Sequence, residues 1–329
     1  MDRDLLTTRL VTAFERRHDG AIEVHGLKPL SAGASAATWQ FDLVRDGAAA
    51  PMIAQLFTGE NQFAASVDKR TQALVQQCAY EAGIPTPRVD IIFDAEDGVG
   101  EGFVTEFKQG ETLGQRIVRD EKYEYARSQM TEQCAKILAA IHGLETSKLP
   151  VLPNHDPATM IETLVATHRS YGQRVPTFDL AFQWLAERAS SRSARTPVHG
   201  DFRNGNFIIN ESGIAFVLDW EVAHLGDPHE DLGWLCMNAW RFGRIDKPVG
   251  GFGDRSQLYA DYEAASGTPV DPERVRFWEI YSTLKWGVVC QWFANQYLTG
   301  EVRTLERAAI GRRVSETELD LLDLIEGVE

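Results

Sequence analysis

The residues "HGDFRNGN", His199 to Asn206, followed by "VLDWE", Val217 to Glu221, decide how this chain is read. An aspartate, an arginine and two asparagines share one tight loop, and the next apolar stretch ends on another aspartate. Between the two motifs, Phe207–Asn210 and Ile214–Leu218 are apolar runs joined by the turn signal Glu211-Ser212-Gly213, which predicts a β-hairpin. Pairing Asn210 with Ile214 sets Asn206 opposite Leu218, beside Asp219. Both oxygen-bearing side chains then meet at the open end of the hairpin. Asp201, five residues before Asn206, sits in the loop that enters that end.

Carboxylate and amide oxygens converging in this way suit a hard cation such as Mg2+, which keeps several waters and takes phosphate oxygens as further ligands. A separate carboxylate at Asp201 can accept the proton of an attacking hydroxyl. Positioned oxygens, a cation set against negative charge and an oriented nucleophile are what phosphoryl transfer requires.

Composition bounds the rest. A chain of 329 residues, 43% hydrophobic and 25% charged, has the length of about two domains and ordinary globular content. Its formal charge of −15 argues against a nucleic-acid partner, because phosphate backbones call for clustered Lys and Arg. Cys78, Cys134, Cys236 and Cys290 lie far apart with no CxxC pair, which predicts reduced thiols. The opening "MDRDLLTTRLVTAF" is interrupted by charge, and no apolar run approaches the ~18 residues that span a bilayer. The expectation is a cytoplasmic chain with no membrane partner. Nothing in the residues specifies an oligomeric state.

Along the chain, residues 1–105 read as mixed α/β. "PMIAQLF" is a short strand, and "SVDKRTQALVQQCAYEAGI" a helix with Val67, Leu74, Cys78 and Ala82 as its apolar positions. "VDIIFDAEDGVGEGFVTEF" reads as two strands joined by a Gly-rich turn. From about residue 110 the texture turns helical, with Tyr123, Ala126, Met130, Cys134, Ile137 and Ile141 at three- and four-residue spacing. Asp271 and Pro272 open a further helix as N-cap and first helical residue. The fold class is α+β, with a small β-rich lobe over residues 1–107 and a larger, mostly helical lobe over 108–329.

The pattern H-G-D-x-x-x-x-N followed by L-D-W-E resembles the aminoglycoside phosphotransferase and choline kinase-like families, relatives of the protein kinases. "LSAGASAATW", "GIPTPRV", "GFVTEFKQGETL" and "HLGDPHEDLGW" extend the resemblance over nearly the whole chain. It is similar above all to bacterial proteins of this kind that also resemble kinase domains fused to some acyl-CoA dehydrogenases. The resemblance implies a two-lobed protein kinase-like fold that uses ATP and Mg2+ to phosphorylate a small-molecule hydroxyl. By it, Asp201 is the catalytic base and Asn206 and Asp219 hold Mg2+. Arg203 falls where protein kinases place a lysine that contacts the transferred group. Glu106 and Phe107 offer backbone groups to adenine, and the loop of Ala32, Gly33, Ala34 and Ser35 covers the phosphates.

One part departs from the pattern. Kinase-like folds hold the α- and β-phosphates with a strand cation paired to a helix glutamate. Here the matching positions are Gln55 and Gln72. A Gln–Gln hydrogen bond preserves geometry but supplies no positive charge. Three consequences stay open: weaker ATP binding, substitution by Lys69 or Arg70, or loss of catalysis. The alternative to a kinase is therefore a kinase-like nucleotide- or ligand-binding protein.

A metal-dependent hydrolase built on His224, Asp227, His229 and Asp231 is a third reading. "GDPHED" is better explained as a capped helix, with Asp227 as N-cap, Pro228 in the first position and Glu230 completing a capping box, while Asp227 and Asp231 brace the loop. His199 reads as a residue that orients the loop, and His142 as a satisfied core residue.

Overall fold

The computed structural model describes residues 2–30, 36–57, 66–189 and 195–327, which divide into two units. The first comprises residues 1–110, 145–152 and 215–223, and the second 111–144, 153–214 and 224–329.

In the first unit, α1 (Arg3–Glu15) precedes β1 (Ile22–Pro29), β2 (Ala36–Arg45) and β3 (Ala48–Phe57). α2 (Lys69–Glu81), β4 (Val89–Ile92) and β5 (Gly102–Glu106) follow. The strands form one antiparallel sheet in the order β1-β2-β3-β5-β4, with β3 at its centre. The β2–β3 turn is Asp46-Gly47, with φ of 49° and 81°. Two left-handed residues match the twist of the flanking strands, and Asp-Gly is a favoured pair for such a turn. One sheet face is covered by Leu6, Leu10, Ala13 and Phe14 of α1, in a core with Phe41, Leu43, Met52, Ala54 and Val104. Each of the large side chains contributes about 1.5–3 kcal/mol on burial. Arg16 and Arg17 pair with Asp94 and Asp97 and tie the end of α1 to the turn before β5.

α2 reverses the sequence expectation for its buried face. Leu74 and Cys78 are only half-buried and Ala82 is exposed, whereas Lys69, Gln72, Ala73, Val75, Gln76 and Ala79 are buried. Polar groups can be buried where they find partners. Gln76 Nε2 donates to Pro87 O at 2.6 Å, and Lys69 Nζ donates to Gln72 Oε1 at 2.9 Å.

The second unit carries α3 (Gly114–Arg119), α4 (Glu124–His142), α5 (Pro157–Ser170) and α6 (Pro176–Arg188). After β6 (Thr196–Val198) comes β7 (Phe207–Asn210), then β8 (Gly213–Val217), whose residues from Ala215 on belong to the first unit, and β9 (His224–Gly226), which pairs with β6. The turn between β7 and β8 is Glu211-Ser212, so β8 starts one residue earlier than the sequence predicts. Asn210 Oδ1 accepts from Ser212 N at 2.8 Å and closes that turn. The remaining helices are α7 (His229–Cys236), α8 (Arg255–Ser266), α9 (Pro272–Thr299), α10 (Leu305–Gly311) and α11 (Val314–Glu326).

α9 is the axis of this unit, and α5, α6, α7, α10 and α11 pack against it. Asp271 Oδ1 caps it by accepting from Glu273 N at 3.0 Å, with Pro272 in the first turn, as the sequence predicts. Gly233 lets α7 close on α9, since a Cβ there would lie 2.7 Å from Glu279 N. α7 begins at His229 rather than Pro228. Asp227 Oδ1 accepts from His229 N at 2.9 Å, but the Glu230 side chain pairs with His224, so the expected capping box is replaced by a buried His–Glu contact. Among the described residues no helix is long and apolar enough to cross a membrane, and all four cysteines are free.

Candidate active site

Because β6 pairs with β9, the loop leaving β6 starts beside the first turn of α7. Asp231 in that turn is buried. It accepts His199 N on Oδ2 and Gly200 N on Oδ1, both at 2.8 Å. His142 Nε2 lies 3.1 Å from Asp231 Oδ2, and its Nδ1 lies 2.8 Å from the Tyr262 hydroxyl. Burial pushes the Asp231 carboxyl up, but the contacts with His142 and the His199 amide outweigh it and hold the group below the ordinary carboxylate range. A buried anion thus anchors two consecutive amides of the loop, the bracing role read for Asp231 in the sequence. His199 is itself buried, and its Nδ1 accepts from Asp201 N at 3.2 Å. Phe202 and Asn204 also point inward; Phe202 meets Phe207, and Asn204 Nδ2 donates to Gly250 O at 3.1 Å.

The structure brings Asp201, Arg203 and Asn206 together. Asp201 Oδ1 accepts from Arg203 Nε and from Trp234 Nε1, both at 2.8 Å. Its Oδ2 accepts from Asn206 Nδ2 at 2.6 Å, and the same nitrogen donates to Asp201 O at 3.0 Å. A carboxylate offers about four acceptor positions. Three of them are filled by described residues, which leaves one on Oδ2, and the side chain is 19% exposed. With its NH2 turned to Asp201, Asn206 keeps its amide oxygen as the atom able to ligate a cation. The Arg203 guanidinium also lies over Trp240, 4.2 Å from the ring centroid. Gly205, at φ +115°, makes room for it: a Cβ there would stand 2.6 Å from Arg203 Nη1.

Trp234 is the site residue that sequence reasoning missed. The only signal was its position three residues after Asp231 on α7. Residues three apart share a helix face, so the helix that sets Asp231 under the loop also brings Trp234 to Asp201.

The first unit carries the other candidates. Asp219 has φ +64°, uncommon for a residue with a side chain. Its segment is fixed on both sides within the unit. Val217 N donates to Pro85 O at 2.7 Å, Trp220 Nε1 donates to Thr86 Oγ1 at 3.1 Å, and Val67 N donates to Glu221 O at 2.8 Å. Glu221 Oε2 also pairs with Lys69 Nζ at 3.2 Å, and the Lys69 side chain is 3% exposed. Among the described residues no hydrogen bond joins Gln55 to Gln72, whose Oε1 accepts from Lys69 instead. Gln55 lies on β3 between Thr38 and Phe103, half-buried.

The N–H groups of Glu106 and Phe107 donate to Arg88 O at 3.1 Å and Pro51 O at 2.9 Å, so both of these backbone donors are already engaged within the unit. Ala32, Gly33, Ala34 and Ser35 lie outside the described residues. Among the described residues no cluster of His, Cys, Asp and Glu is arranged to hold a metal ion.

The sequence model of the phosphotransferase enzyme family matches residues 26–278. A Ralstonia eutropha protein named for the aminoglycoside phosphotransferases superposes with a TM-score of 0.77 at 19% identity, over 98% of this chain and 99% of that one. The aminoglycoside phosphotransferase APH(4)-Ia, in a ternary complex with ADP and hygromycin B, gives a TM-score of 0.60 at 16% identity over 95% and 97%. At these identities the likeness establishes the fold alone, the kinase-like α+β fold that the sequence leads one to expect. A protein of Arabidopsis thaliana named as an acyl-CoA dehydrogenase, IBR3, is 22% identical over 80% of this chain. The chain spans at most about a third of the length of such relatives, 34% for that one.

Proposed function

The chain belongs to the phosphotransferase enzyme family, and from that premise we propose that it is an Mg2+-dependent kinase moving the γ-phosphoryl group of ATP to a hydroxyl of a small molecule. The observation that carries this reading is the coordination of Asp201, with Oδ1 saturated by Arg203 and Trp234 and one acceptor position left on Oδ2. The two donors on Oδ1 hold the carboxylate against rotation, so Oδ2 receives the hydroxyl of the acceptor. As the acceptor oxygen bonds to the γ-phosphorus, the bond from phosphorus to the bridging oxygen breaks. The hydroxyl proton passes to Asp201 Oδ2, and ADP leaves. A positioned base of this kind contributes about 10²- to 10⁴-fold.

The Asn206 amide oxygen and the Asp219 carboxylate would hold Mg2+, since an all-oxygen pair suits that ion. When bound, the ion neutralises charge on the phosphate oxygens. Lys69 takes the part of the cation that β3 lacks. It lies against Gln72, the position of the expected acid, and against Glu221, two residues past Asp219. A hydroxyl of an aminoglycoside-like compound, a hydroxyacyl thioester, an amino alcohol or a sugar fits the chemistry so far. The protein needs no membrane or nucleic-acid partner for this activity, and a cytoplasmic location with free access to ATP suits it.

Gln55 favours a second reading, a protein that binds nucleotide or ligand without transferring phosphate. The two readings separate on Asp201→Asn, assayed by transfer of labelled γ-phosphate to a panel of hydroxy compounds. A kinase loses about 10²- to 10⁴-fold in kcat while Mg2+-ATP affinity is kept. Unchanged transfer in the variant would remove Asp201 from the mechanism, and absence of transfer in the parent protein would favour binding alone.

A further inference from the structure

α9 carries three cations, Arg274, Arg276 and Lys285. Arg274 Nε pairs with Asp227 at 2.5 Å, and Arg276 donates to Leu324 O at 2.8 Å and Ile325 O at 3.0 Å. Lys285 is half-buried and makes no ion pair among the described residues. Its ammonium lies 4.9 Å from the ring centroid of Trp234, the residue that donates to Asp201.

Trp234 belongs to a largely buried cluster of indoles. Trp234 and Trp240 lie 5.6 Å apart, Trp240 and Trp286 5.3 Å apart, and Arg203 covers Trp240. The buried indole nitrogens of Trp240 and Trp286 have no hydrogen-bond partner among the described residues. Arg203 is paired with Asp201, which leaves Lys285 as the cation beside these rings whose charge is not met by a carboxylate among the described residues.

The carboxylates of α7 and α9, by contrast, are each taken. Glu230 meets His224, Asp231 meets His142 and two amides, Glu273 meets Arg276, and Glu279 meets Arg241 and Arg255. Although the chain carries a formal charge of −15, Lys285 is thus the one charged side chain of α7 and α9 without an ionic partner among the described residues. Aromatic faces recognise ammonium groups when they are free to do so. Here Trp234 and Trp240 already carry cations of the chain, and a substrate amine would meet like charge.

We infer that the acceptor bears an anionic group, a carboxylate or a phosphate, which pairs with Lys285 while its hydroxyl reaches Asp201. The inference rests on the phosphotransfer reading and narrows it, excluding amino alcohols and aminoglycosides. Lys285 binds the far end of the substrate and takes no part in proton transfer.

The test uses the full chain with four carbon-matched series of four to ten carbons, namely ω-hydroxy acids, ω-hydroxyalkyl phosphates, diols and ω-amino alcohols. Parent protein, Lys285→Met and Lys285→Arg are compared, with melting temperature as the control for folding. The expected result is transfer to one of the two acidic series, which identifies the anion. Lys285→Met should raise KM about 10- to 100-fold with little change in kcat, as for the loss of one charge-assisted contact, and Lys285→Arg should recover most of it. Preference for diols or amino alcohols, or an unchanged KM in Lys285→Met, overturns the inference. If no series accepts phosphate, ligand-observed NMR on the same compounds decides. Binding of acids or phosphates that disappears in Lys285→Met upholds the anion site, and its absence rejects it. Mg2+-ATP binding, measured on the same samples, reports separately on the phosphotransfer reading.

Discussion

Asp201 in the second unit and Lys69 in the first are both charged groups held by several partners, yet they are built differently. Asp201 takes two of its partners, Arg203 and Asn206, from within five residues, and remains 19% exposed. Lys69 is 3% exposed, and its ion-pair partner Glu221 is 152 residues away. An accessible carboxylate assembled from one loop is suited to meet a substrate. A buried pair assembled from distant segments fixes those segments against each other. Burying such a pair costs desolvation, which only further hydrogen bonds offset, and Gln72 supplies one here.

The difference can be broken most forcefully through Asp231. Asp231→Ala leaves the His199 and Gly200 amides and His142 without their buried acceptor, an expected loss of about 3–5 kcal/mol in calorimetric stability and of most activity. Intact melting in that variant would mean the loop is held by something else. Lys69→Met comes next. It should weaken Mg2+-ATP binding by about 10- to 30-fold in titration calorimetry, as for one charged contact, and the added change Gln55→Lys should recover part of the loss by moving the cation onto β3. A lower melting point with unchanged nucleotide affinity would make Lys69 purely structural. A smaller effect is expected from Trp234→Phe, which removes one donor from Asp201 Oδ1. Its kcat should fall about 3- to 10-fold with KM for ATP unchanged.

The two units should also differ towards acid. In the second unit, burial first and then the neighbouring His224 push His155 down to about 4 from the ordinary 6.5. The unfolded chain binds this proton more readily, so the stability contributed by the neutral ring is complete above pH 6.5 and declines as pH falls towards 4. After solvent screening is allowed for, about 1–2 kcal/mol is expected, and His155→Gln should flatten the melting profile over that range. Asp97 of the first unit is also shifted down, but from the lower carboxylate range: burial pushes it up, and the Arg17 contact outweighs burial and holds its carboxyl below the ordinary range. Its contribution persists until pH falls below the usual carboxylate range. Equal acid sensitivity with and without His155 would remove this contrast.

Legibility followed the same division. The loop around Asp201 could be read because two of its partners, Arg203 and Asn206, are neighbours in sequence, α4 because its burial has a simple period, and the start of α9 because Asp271 and Pro272 cap it. α2 was misread because periodicity assumes that buried means apolar, whereas Lys69, Gln72 and Gln76 are buried by partners that come from elsewhere in the chain. Trp234 gave only the weak signal of its spacing from Asp231, and Lys285 none, for a similar reason. A tryptophan and a lysine on helices acquire a role only when packing sets the first beside Asp201 and the second against its ring.

The central claim is an Mg2+-dependent nucleotide site that uses Asp219, and the most direct measurement is a thermal-shift titration with ATP, with and without Mg2+, on the parent protein and on Asp219→Ala. At a hundredfold excess over Kd the parent should gain about 2.7 kcal/mol, only with Mg2+ present, and Asp219→Ala should lose that gain. No shift at saturating nucleotide, or an equal shift without Mg2+ or without Asp219, would contradict the account.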